Sequence, residues 1–355
     1  RRIAKIAADQ RVENREVNAH IDVAWLWPLS ESVRKCSRTF STVARLMERY
    51  PEFLFSCSQP LLYQYTKDHY PELYEQIKKL VADGRWETTG GMWVETDCNV
   101  TSGESLIRQS LHGLRFFREE FGTRPRVCWL PDVFGFSGAL PQILSACGYT
   151  GFYTVKLHWQ ARNRFPHTIF WWRGIDGSRI LAHIPRLSHM YNAQMEPAEL
   201  RAAVDEVDQF PPCDSVLMPF GFGDGGGGPT EKMLEYAHRS ADFPGLPATR
   251  HTGADPFFDE IIEADPELPE WVGELYLETH RGTLTSQGRT KKGNRKNELA
   301  LRNAEILGWM AAMIGKSVDL GPLDSAWKNL LTLQFHDILP GSSIRTVHKE
   351  AEEDH

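Results

Sequence analysis

The sequence alternates short apolar segments with longer amphipathic ones, and this alternation limits the chain to few architectures. Segments typical of strands lie at 53–56, 127–130, 152–155 and 215–220. Helical patterns lie between or after them, at 28–48, 71–82, 101–121, 140–147, 197–210 and 230–241. Strands that alternate with helices predict a mainly parallel sheet or barrel, because a helix returns the chain between parallel strands. Two further strands, at 169–173 and 179–184, are joined through Asp176-Gly177, which predicts a hairpin.

Composition excludes several classes of function. The chain has 355 residues and a net charge of −7, which disfavours nucleic acid as a partner. No apolar run approaches the ~20 residues that span a bilayer, and the start R-R-I-A-K resembles no signal peptide. Because the chain lacks an initiator Met and ends in A-E-E-D-H, we expect it to be a piece of a longer protein. The six cysteines contain no C-x-x-C pair, so reduced thiols in a cytoplasm are the default expectation.

Residues 17–27 carry the strongest candidate for a functional site. They read V-N-A-H-I-D-V-A-W-L-W, and the first seven alternate between apolar and polar side chains. In a β-strand, His20 and Asp22 share one face. An imidazole and a carboxylate inside an apolar strand need a partner, and either a divalent metal or a buried His–Asp hydrogen bond satisfies them. Trp25 and Trp27 follow, and an aromatic wall suits a flat ligand such as a sugar ring.

Two further acidic residues follow predicted strands. Asp132 lies just past the strand 127–130, where parallel α/β folds place active-site residues, although a turn or cap is equally compatible. Asp224 precedes a run of four glycines. That run is not a phosphate loop, because no G-K-[ST] follows. It allows close backbone approach to a ligand, or it is a flexible loop in which Asp224 forms a turn.

Polar residues at two other places have both structural and functional interpretations. His336 lies at the end of an amphipathic helix predicted at 323–338, where the helix dipole alone favours a histidine. Asp337 beside it is either a partner of that histidine or a solvent-facing residue. Glu95 and Asp97 have one parity in a strand that runs into a loop, which suits hydrogen bonds to hydroxyls or a polar strand edge.

The pattern changes near residue 276. Residues 281–296 are polar and basic, and long helical patterns follow at 297–314 and 323–338. We therefore expect an α/β domain at 1–275 and the beginning of a helical domain at 276–355.

Seven motifs, in order along nearly the whole chain, resemble glycoside hydrolase family 38, the class II α-mannosidases. They are A-H-I-D-V-A-W-L-W (19–27), G-G-M-W-V-E-T-D-C-N (90–99), S-G-E-S-L-I-R-Q (102–109), W-L-P-D-V-F-G-F-S-G (129–138), F-G-D-G-G-G-G-P-T (222–230), E-T-H-R-G-T-L-T-S-Q (278–287) and Q-F-H-D-I-L-P-G-S-S (334–343). The glycine run looks like the bacterial and cytosolic branch. The resemblance implies a distorted parallel (β/α) barrel, then an incomplete middle domain of three-helix type, with the family's C-terminal β domains absent.

The resemblance also implies the roles of particular residues. The implied metal ligands are His20, Asp22, Asp132 and His336, a set that fits Zn²⁺ and also accepts Co²⁺ or Mn²⁺. Asp132 is in addition the implied nucleophile, and Asp224 is the candidate acid/base. The expected substrate contacts are Trp25, by stacking on the sugar, and Lys156, Glu95 and Asp97, by hydrogen bonds to hydroxyls.

We therefore expect a metal-dependent retaining exo-glycosidase, located in the cytoplasm, that removes terminal α-linked mannose from oligosaccharides. A homo-oligomer is compatible with this expectation. One alternative is a metal-dependent polysaccharide deacetylase, but that class needs an H-x-x-x-H pair, which this sequence lacks. Another alternative is a catalytically weak carbohydrate-binding fragment, since missing domains are expected to complete the active-site wall.

Overall fold

The computed structural model describes residues 12–185, 191–205 and 215–355. The strands are β1 (Val12–Asn18), β2 (Phe55–Cys57), β3 (Trp86–Thr88), β4 (Val127–Trp129), β5 (Gly151–Tyr153), β6 (Ile169–Arg173), β7 (Arg179–His183), β8 (Ser215–Phe220), β9 (Ala248–His251) and β10 (Glu270–Val272). The α-helices are α1 (Leu29–Arg49), α2 (Pro60–His69), α3 (Pro71–Ala82), α4 (Gly103–Phe121), α5 (Leu140–Ala146), α6 (Pro197–Asp205), α7 (Glu231–Arg239), α8 (Ala254–Ala264), α9 (Gly288–Met313), α10 (Gly321–Leu333) and α11 (Arg345–Asp354).

The strands form two five-stranded sheets. The first is parallel and has the order β3-β2-β1-β8, with β9 also paired to β1. The second has the order β10-β6-β7-β5-β4 and is parallel except for the antiparallel pair β6 and β7. The predicted hairpin and the mainly parallel α/β fold are thus confirmed. Closure of the described strands into one barrel stays a prediction.

Helix α1 covers the first sheet through a face whose residues recur three or four apart. Its buried residues are Ser32, Cys36, Thr39, Phe40, Val43, Leu46 and Met47. The ring of Phe40 meets Trp86 edge-on at 5.2 Å between centroids, and Phe55 meets the same tryptophan at 4.5 Å. Aromatic pairs of this kind add ~0.5–1.5 kcal/mol each beyond the burial of their area. This packing fixes α1 over the sheet and carries Ser32 to the carboxyl end of β1.

The helical segment after residue 276 is attached to the α/β part through α4. Arg108 donates two hydrogen bonds to the carboxylate of Glu305, at 2.8 and 2.5 Å, and its guanidinium lies 4.0 Å from the ring centroid of Trp327. The indole of Trp327 donates to the same carboxylate at 2.8 Å. A partly buried bidentate pair with a stacked aromatic ring has a defined orientation, so these contacts fix how α9 and α10 sit on α4.

The structure corrects several predicted boundaries. The first strand ends at Asn18 and does not extend through Val23, because beyond Val17 the regular pairing with β8 stops and only an isolated bridge joins Ile21 to Gly225. The last predicted helix ends at Leu333, three residues before His336. Residues 95–99 lie in a loop with isolated bridges and not in a strand. The helix predicted at 197–210 is observed from Pro197 to Asp205, and residues 206–210 lie outside the described residues.

Helix α9 begins at Gly288, nine residues before the predicted start. Its first half buries a polar stripe, Thr290, Asn294 and Glu298, spaced by four residues. A stripe of polar side chains gives no hydrophobic periodicity, and for this reason the sequence analysis missed it. No sequence pattern predicted α2, α8, α11, β9 or β10. None of the helices in the described part of the chain combines the length and apolar character that crossing a bilayer requires.

Two glycines of α4 provide a test of this packing. A Cβ on Gly113 would lie 2.3 Å from the carbonyl oxygen of Gly91, whereas a Cβ on Gly103 would first meet a side-chain atom of Ile143 at 4.0 Å. We expect Gly113→Ala to lower the free energy of unfolding by at least the ~1–3 kcal/mol typical of overpacking. Gly103→Ala, the matched control, should leave it nearly unchanged. Denaturant titration of both variants measures the difference, and equal stabilities would contradict the packing described.

Candidate metal centre

Residues 19–22 follow the end of β1, and hydrogen bonds from neighbouring segments hold their backbone on both sides. The amide of Asp22 donates to the carbonyl of Asp224 at 2.7 Å. On the other side, the amide side chain of Gln59 donates to the carbonyl of Ile21 at 2.9 Å. The hydroxyl of Ser32 donates to the carbonyl of Val23 at 2.6 Å. The segment therefore has a fixed backbone outside regular secondary structure.

Four side chains converge past the ends of the strands. His20, Asp22, Asp132 and His336 each offer a ligand atom, and these atoms all lie within 4.8 Å of one another. His20 Nε2 lies 3.0 Å from Asp22 Oδ1, and His336 Nε2 lies 3.3 Å from the same oxygen and 3.9 Å from Asp132 Oδ2. All four residues are buried, with Asp132 the most exposed at 7%. The structure thus brings together the set that the resemblance implied.

His336 reaches this cluster because residues 334–336 run beside residues 95–97. The amide of Asp97 donates to the carbonyl of Gln334 at 2.9 Å, and an antiparallel bridge joins Thr96 to Phe335. The amide of His336 donates to the carbonyl of Glu95 at 3.2 Å, and its Nδ1 donates to the same oxygen at 2.8 Å. That bond assigns one proton to Nδ1 and leaves Nε2 facing the cluster, where it can bind a metal once its own proton is displaced.

The side chain of Glu95 lies behind His20. Its Oε2 is 3.1 Å from His20 Nδ1, and its Oε1 accepts a hydrogen bond from Ser58 at 2.6 Å. A carboxylate on the second nitrogen of a ligating histidine orients the ring and raises its basicity. The predicted contact of Glu95 with a sugar hydroxyl stays a prediction, and the observed geometry gives this residue a role in orienting His20.

Asp97 closes the loop that follows. Its Oδ1 accepts hydrogen bonds from the amides of Asn99, Val100 and Thr101, and the side chain is buried. Its predicted contact with a sugar hydroxyl likewise stays a prediction.

The charges of the cluster depend on one another. Burial lowers the pKa of His20, but the carboxylates of Glu95 and Asp22 raise it well above its usual value. Burial lowers the pKa of His336 as well, but the contact of its Nε2 with the carboxylate of Asp22 at 3.3 Å and the charge of Asp337 raise this pKa to about 9. Burial raises the pKa of Asp22, but the charge of His20 lowers it to about 2. These buried carboxylates therefore require positive charge beside them.

A divalent metal fits these residues. The buried His336 Nε2 has no well-aligned hydrogen-bond partner among the described residues, and a metal that displaced its proton would give this nitrogen a partner. Two imidazoles and two carboxylates are a donor set that suits Zn²⁺. The cation would also supply the positive charge that the carboxylates require.

Asp132 has different neighbours on its two oxygens. Oδ2 faces His336, while Oδ1 accepts a hydrogen bond from Lys156 Nζ at 2.7 Å. The same ammonium lies 4.1 Å from the ring centroid of Trp159 and 5.3 Å from that of Phe134. Lys156 thus contacts the predicted nucleophile, and its predicted contact with a sugar hydroxyl stays a prediction.

Two aromatic residues near Lys156, His280 and Phe134, had no role predicted from the sequence. The His280 ring lies 4.6 Å from that of Phe134, and burial with the charge of Lys156 lowers its pKa to about 4, so the imidazole is neutral at pH 7. His280 lies in the motif at 278–287 and Phe134 in the motif at 129–138, and these motifs were the only sequence signal that could have pointed to them.

Asp224 is placed by the glycine run that follows it. Its φ of 55° is in the left-handed region, which Asp tolerates better than most residues. Tyr191 donates a hydrogen bond to Asp224 Oδ1 at 3.0 Å, and its ring meets that of His20 edge-on at 5.2 Å. A Cβ on Gly226 would lie 2.6 Å from the hydroxyl oxygen of Thr39. The glycines thus allow the loop to approach α1 closely, and Asp224 is held beside the cluster. Tyr191 has no sequence pattern of its own and was not predicted.

The remaining predicted residue, Trp25, is partly buried. Its ring meets Trp27 edge-on at 6.0 Å, and its carbonyl accepts a hydrogen bond from the amide of Ile344. Stacking of Trp25 on a sugar stays a prediction. Asp337 is buried, with Oδ2 3.7 Å from His336 Nε2, so it is a partner of the histidine and does not face solvent.

Comparison with known families covers most of the chain. Residues 17–274 match the family described as glycosyl hydrolases family 38, N-terminal domain. Residues 278–355 match the family described as alpha mannosidase, middle domain.

Individual proteins are also similar. The chain is 43% identical over 333 residues to alpha-mannosidase G of Dictyostelium discoideum and 43% identical over 339 residues to alpha-mannosidase 2C1 of Homo sapiens. Each alignment covers 94% of this chain but only 30% and 32% of the relative, so the chain spans about a third of their length. The crystal structure of an alpha-mannosidase from Enterococcus faecalis V583 superposes with a TM-score of 0.78 at 20% identity, covering 97% of this chain and 40% of that one. This match supports the fold.

The electrostatics of the cluster predict how metal affinity depends on pH. Because the pKa of His336 is raised to about 9, its imidazole carries a proton at pH 7 that a metal must displace. We expect Zn²⁺ binding to release protons, and the apparent affinity to rise with pH, about tenfold per unit for each proton released, until about pH 9. Chelator competition across this range measures the affinity, and calorimetry in buffers of different ionisation enthalpy counts the protons. An affinity independent of pH would contradict this charge assignment.

Proposed function

Because this chain belongs to glycosyl hydrolase family 38, we propose that it forms the catalytic part of a metal-dependent α-mannosidase that works with retention of configuration. The observation that carries the proposal is the buried cluster of two imidazoles and two carboxylates beside the Asp132–Lys156 contact. The mannosidase names of the relatives at 43% identity support the substrate class. We further propose that the catalytic domain spans 1–275 and that 276–355 belongs to the middle domain.

We propose His20, Asp22, Asp132 and His336 as the metal ligands, with Zn²⁺ the preferred ion and Co²⁺ or Mn²⁺ as substitutes. When bound, the cation supplies positive charge that keeps the carboxylates ionised, and it offers coordination sites to neighbouring hydroxyls of the sugar. Glu95 orients His20, and the carbonyl of Glu95 orients His336.

Asp132 is the proposed nucleophile. Its Oδ1 faces Lys156 and its Oδ2 faces the histidine side of the cluster, so both oxygens are stabilised as an anion and the side chain has a fixed orientation. Attack of a carboxylate oxygen on the anomeric carbon gives a covalent glycosyl-enzyme, which water then hydrolyses. Lys156 must exchange its hydrogen bond when Asp132 Oδ1 forms that bond, and its ammonium remains available for a sugar hydroxyl.

Asp224 is the proposed acid/base. Retaining hydrolysis needs a second carboxyl that first donates a proton to the leaving oxygen and then takes one from water. The hydrogen bond from Tyr191 orients the carboxyl of Asp224, and its partial exposure allows exchange of the proton with solvent.

The proposed substrate is a mannose-containing oligosaccharide with a terminal α-linked mannose, against which Trp25 stacks. Neither nucleic acid nor a membrane is part of the proposal, and a homo-oligomer is compatible with it. A cytoplasmic location completes the proposal, and the similarity to alpha-mannosidase 2C1 supports that branch of the family.

Substitution of the two carboxylates tests the mechanism. We expect Asp132→Asn to lower kcat for an aryl α-mannoside by at least about a thousandfold, since the covalent step lacks its nucleophile. Asn keeps the shape of the side chain, and circular dichroism checks that the variant is folded. A fluorinated mannoside that traps the glycosyl-enzyme should label Asp132 in the parent. Full activity of Asp132→Asn, or a label on another residue, would overturn the assignment.

Asp224→Asn should behave differently, because an acid is needed only when the leaving group is poor. Asn also tolerates the left-handed backbone at this position. We expect kcat/KM of the variant to fall about a hundredfold or more for a methyl α-mannoside and much less for a dinitrophenyl α-mannoside. Azide should restore turnover of the dinitrophenyl substrate, because it replaces the water that Asp224 no longer activates. An equal loss on both substrates would exclude Asp224 as the acid. If the parent hydrolysed neither the methyl nor the dinitrophenyl α-mannoside but still bound mannose, the chain would be a binding fragment.

A further inference from the structure

Two cationic side chains of α1 converge on the glycine loop beside Asp224. Lys35 Nζ lies 3.7 Å from the ring centroid of Trp27, and the guanidinium of Arg38 donates to the carbonyl of Gly225 at 3.4 Å. The Cβ that Gly225 lacks would lie 3.2 Å from Lys35 Nζ. Both charged groups therefore approach the residue that directly follows Asp224.

These two cations differ from others on the same helix. Arg34 pairs with Glu31 at 3.1 Å, and Arg49 forms a two-bond pair with Glu231. In the part of the chain that the structure describes, neither Lys35 nor Arg38 has a carboxylate within ion-pair distance. Lys35 is also partly withdrawn from solvent. This burial and the charge of Arg38 lower the pKa of Lys35 and outweigh the opposite effect of the more distant carboxylates of Glu31 and Asp22. A partly buried cation next to another cation, with no carboxylate at ion-pair distance, gains stability when an anion joins it.

Lys35 and Arg38 lie on the side of the cluster that carries Asp224, the proposed acid. The carbonyl of Asp224 accepts the amide of Asp22, and Gly225 bridges to Ile21, so the glycine loop forms the wall of the cluster on this side. An acid protonates the oxygen that links mannose to its leaving group, so the leaving group lies next to the acid. If Asp224 has that role, a leaving group beside its carboxyl would lie next to Gly225, the residue that Lys35 and Arg38 approach.

We infer that Lys35 and Arg38 form an anion subsite for the leaving group, and that the enzyme prefers α-mannosides whose leaving group carries a phosphate or a carboxylate. This inference rests on the proposed function, including the role of Asp224. Trp27 provides an apolar face beneath the ammonium, since its indole nitrogen is already directed to Ser32. The nearby carboxylate of Glu31 pairs with Arg34 and offsets the charge of Lys35 only in part.

The test compares substrates that differ in charge but not in size. The first pair is 3-carboxyphenyl and 3-carbamoylphenyl α-mannoside. The second pair is an α-linked mannose disaccharide with and without a phosphate on its reducing sugar. For at least one pair we expect kcat/KM to favour the charged member about fivefold at low salt, which is the size of a partly exposed ion pair. The preference should fall towards one as ionic strength rises, because salt screens such a contact.

Variants connect the preference to these residues. Lys35→Gln and Arg38→Gln should each bring the ratio close to one, mainly through a higher KM for the charged substrate. Arg45→Gln removes the same charge from an exposed side chain of the same helix and is the matched control; its ratio should equal that of the parent. A preference in only one pair would identify phosphate or carboxylate as the group that is recognised.

The outcomes separate this inference from the proposed function. Equal kcat/KM values for charged and neutral members of both pairs, or a preference that survives in both Lys35→Gln and Arg38→Gln, would overturn the anion subsite and leave the mannosidase assignment intact. If no mannoside were hydrolysed, the proposed function would fail. Dissociation constants of the same pairs, measured by calorimetry, would then decide the subsite: equal constants would overturn it, and a preference lost in both variants would support it.

Discussion

The site depends on one short antiparallel contact between residues 95–97 and 334–336. Within it, the carbonyl of Glu95 accepts hydrogen bonds from both the amide and Nδ1 of His336, which is 241 residues away in sequence. The carboxylate of the same Glu95 lies 3.1 Å from Nδ1 of His20. A single residue therefore orients both histidines of the cluster, and any shift of this segment moves both imidazoles relative to Asp22 and Asp132.

A buried polar network holds this contact in place. The side chain of Gln334 donates to Asn294 at 2.9 Å and to Glu298 at 3.2 Å. At the start of α4, the backbone amide of Ser102 and the hydroxyl of Ser105 donate to the same Glu298 carboxylate. A buried polar network stabilises the fold only when its members find their hydrogen-bond partners. For this reason α9, α10 and α4 have to be assembled together. The helical segment is thus part of the site, since it carries His336 and the network that positions it.

The sequence predicted the elements with strong periodicity and the acidic residues that follow them. Alternation of strands and helices placed Asp132 and Asp224 past strand ends, and the motifs joined His336 to them. Periodicity could not predict the early end of β1, because the alternation of residues 17–23 continues after the regular pairing with β8 stops. It also missed the first half of α9, where the buried face is polar. The orienting role of Glu95 and the contact of Tyr191 with Asp224 come from tertiary contacts that leave no local pattern.

Metal content per chain tests the central claim most directly, because the account requires that a residue of the helical segment completes a site begun at β1. Elemental analysis should be made on the parent, on His336→Ala and on His238→Ala, a control in which the substituted histidine is largely exposed and lies on α7. The account predicts about one equivalent of zinc in the parent and in His238→Ala, and much less in a folded His336→Ala. Equal metal in all three proteins, or none in the folded parent after incubation with zinc or cobalt, would contradict it.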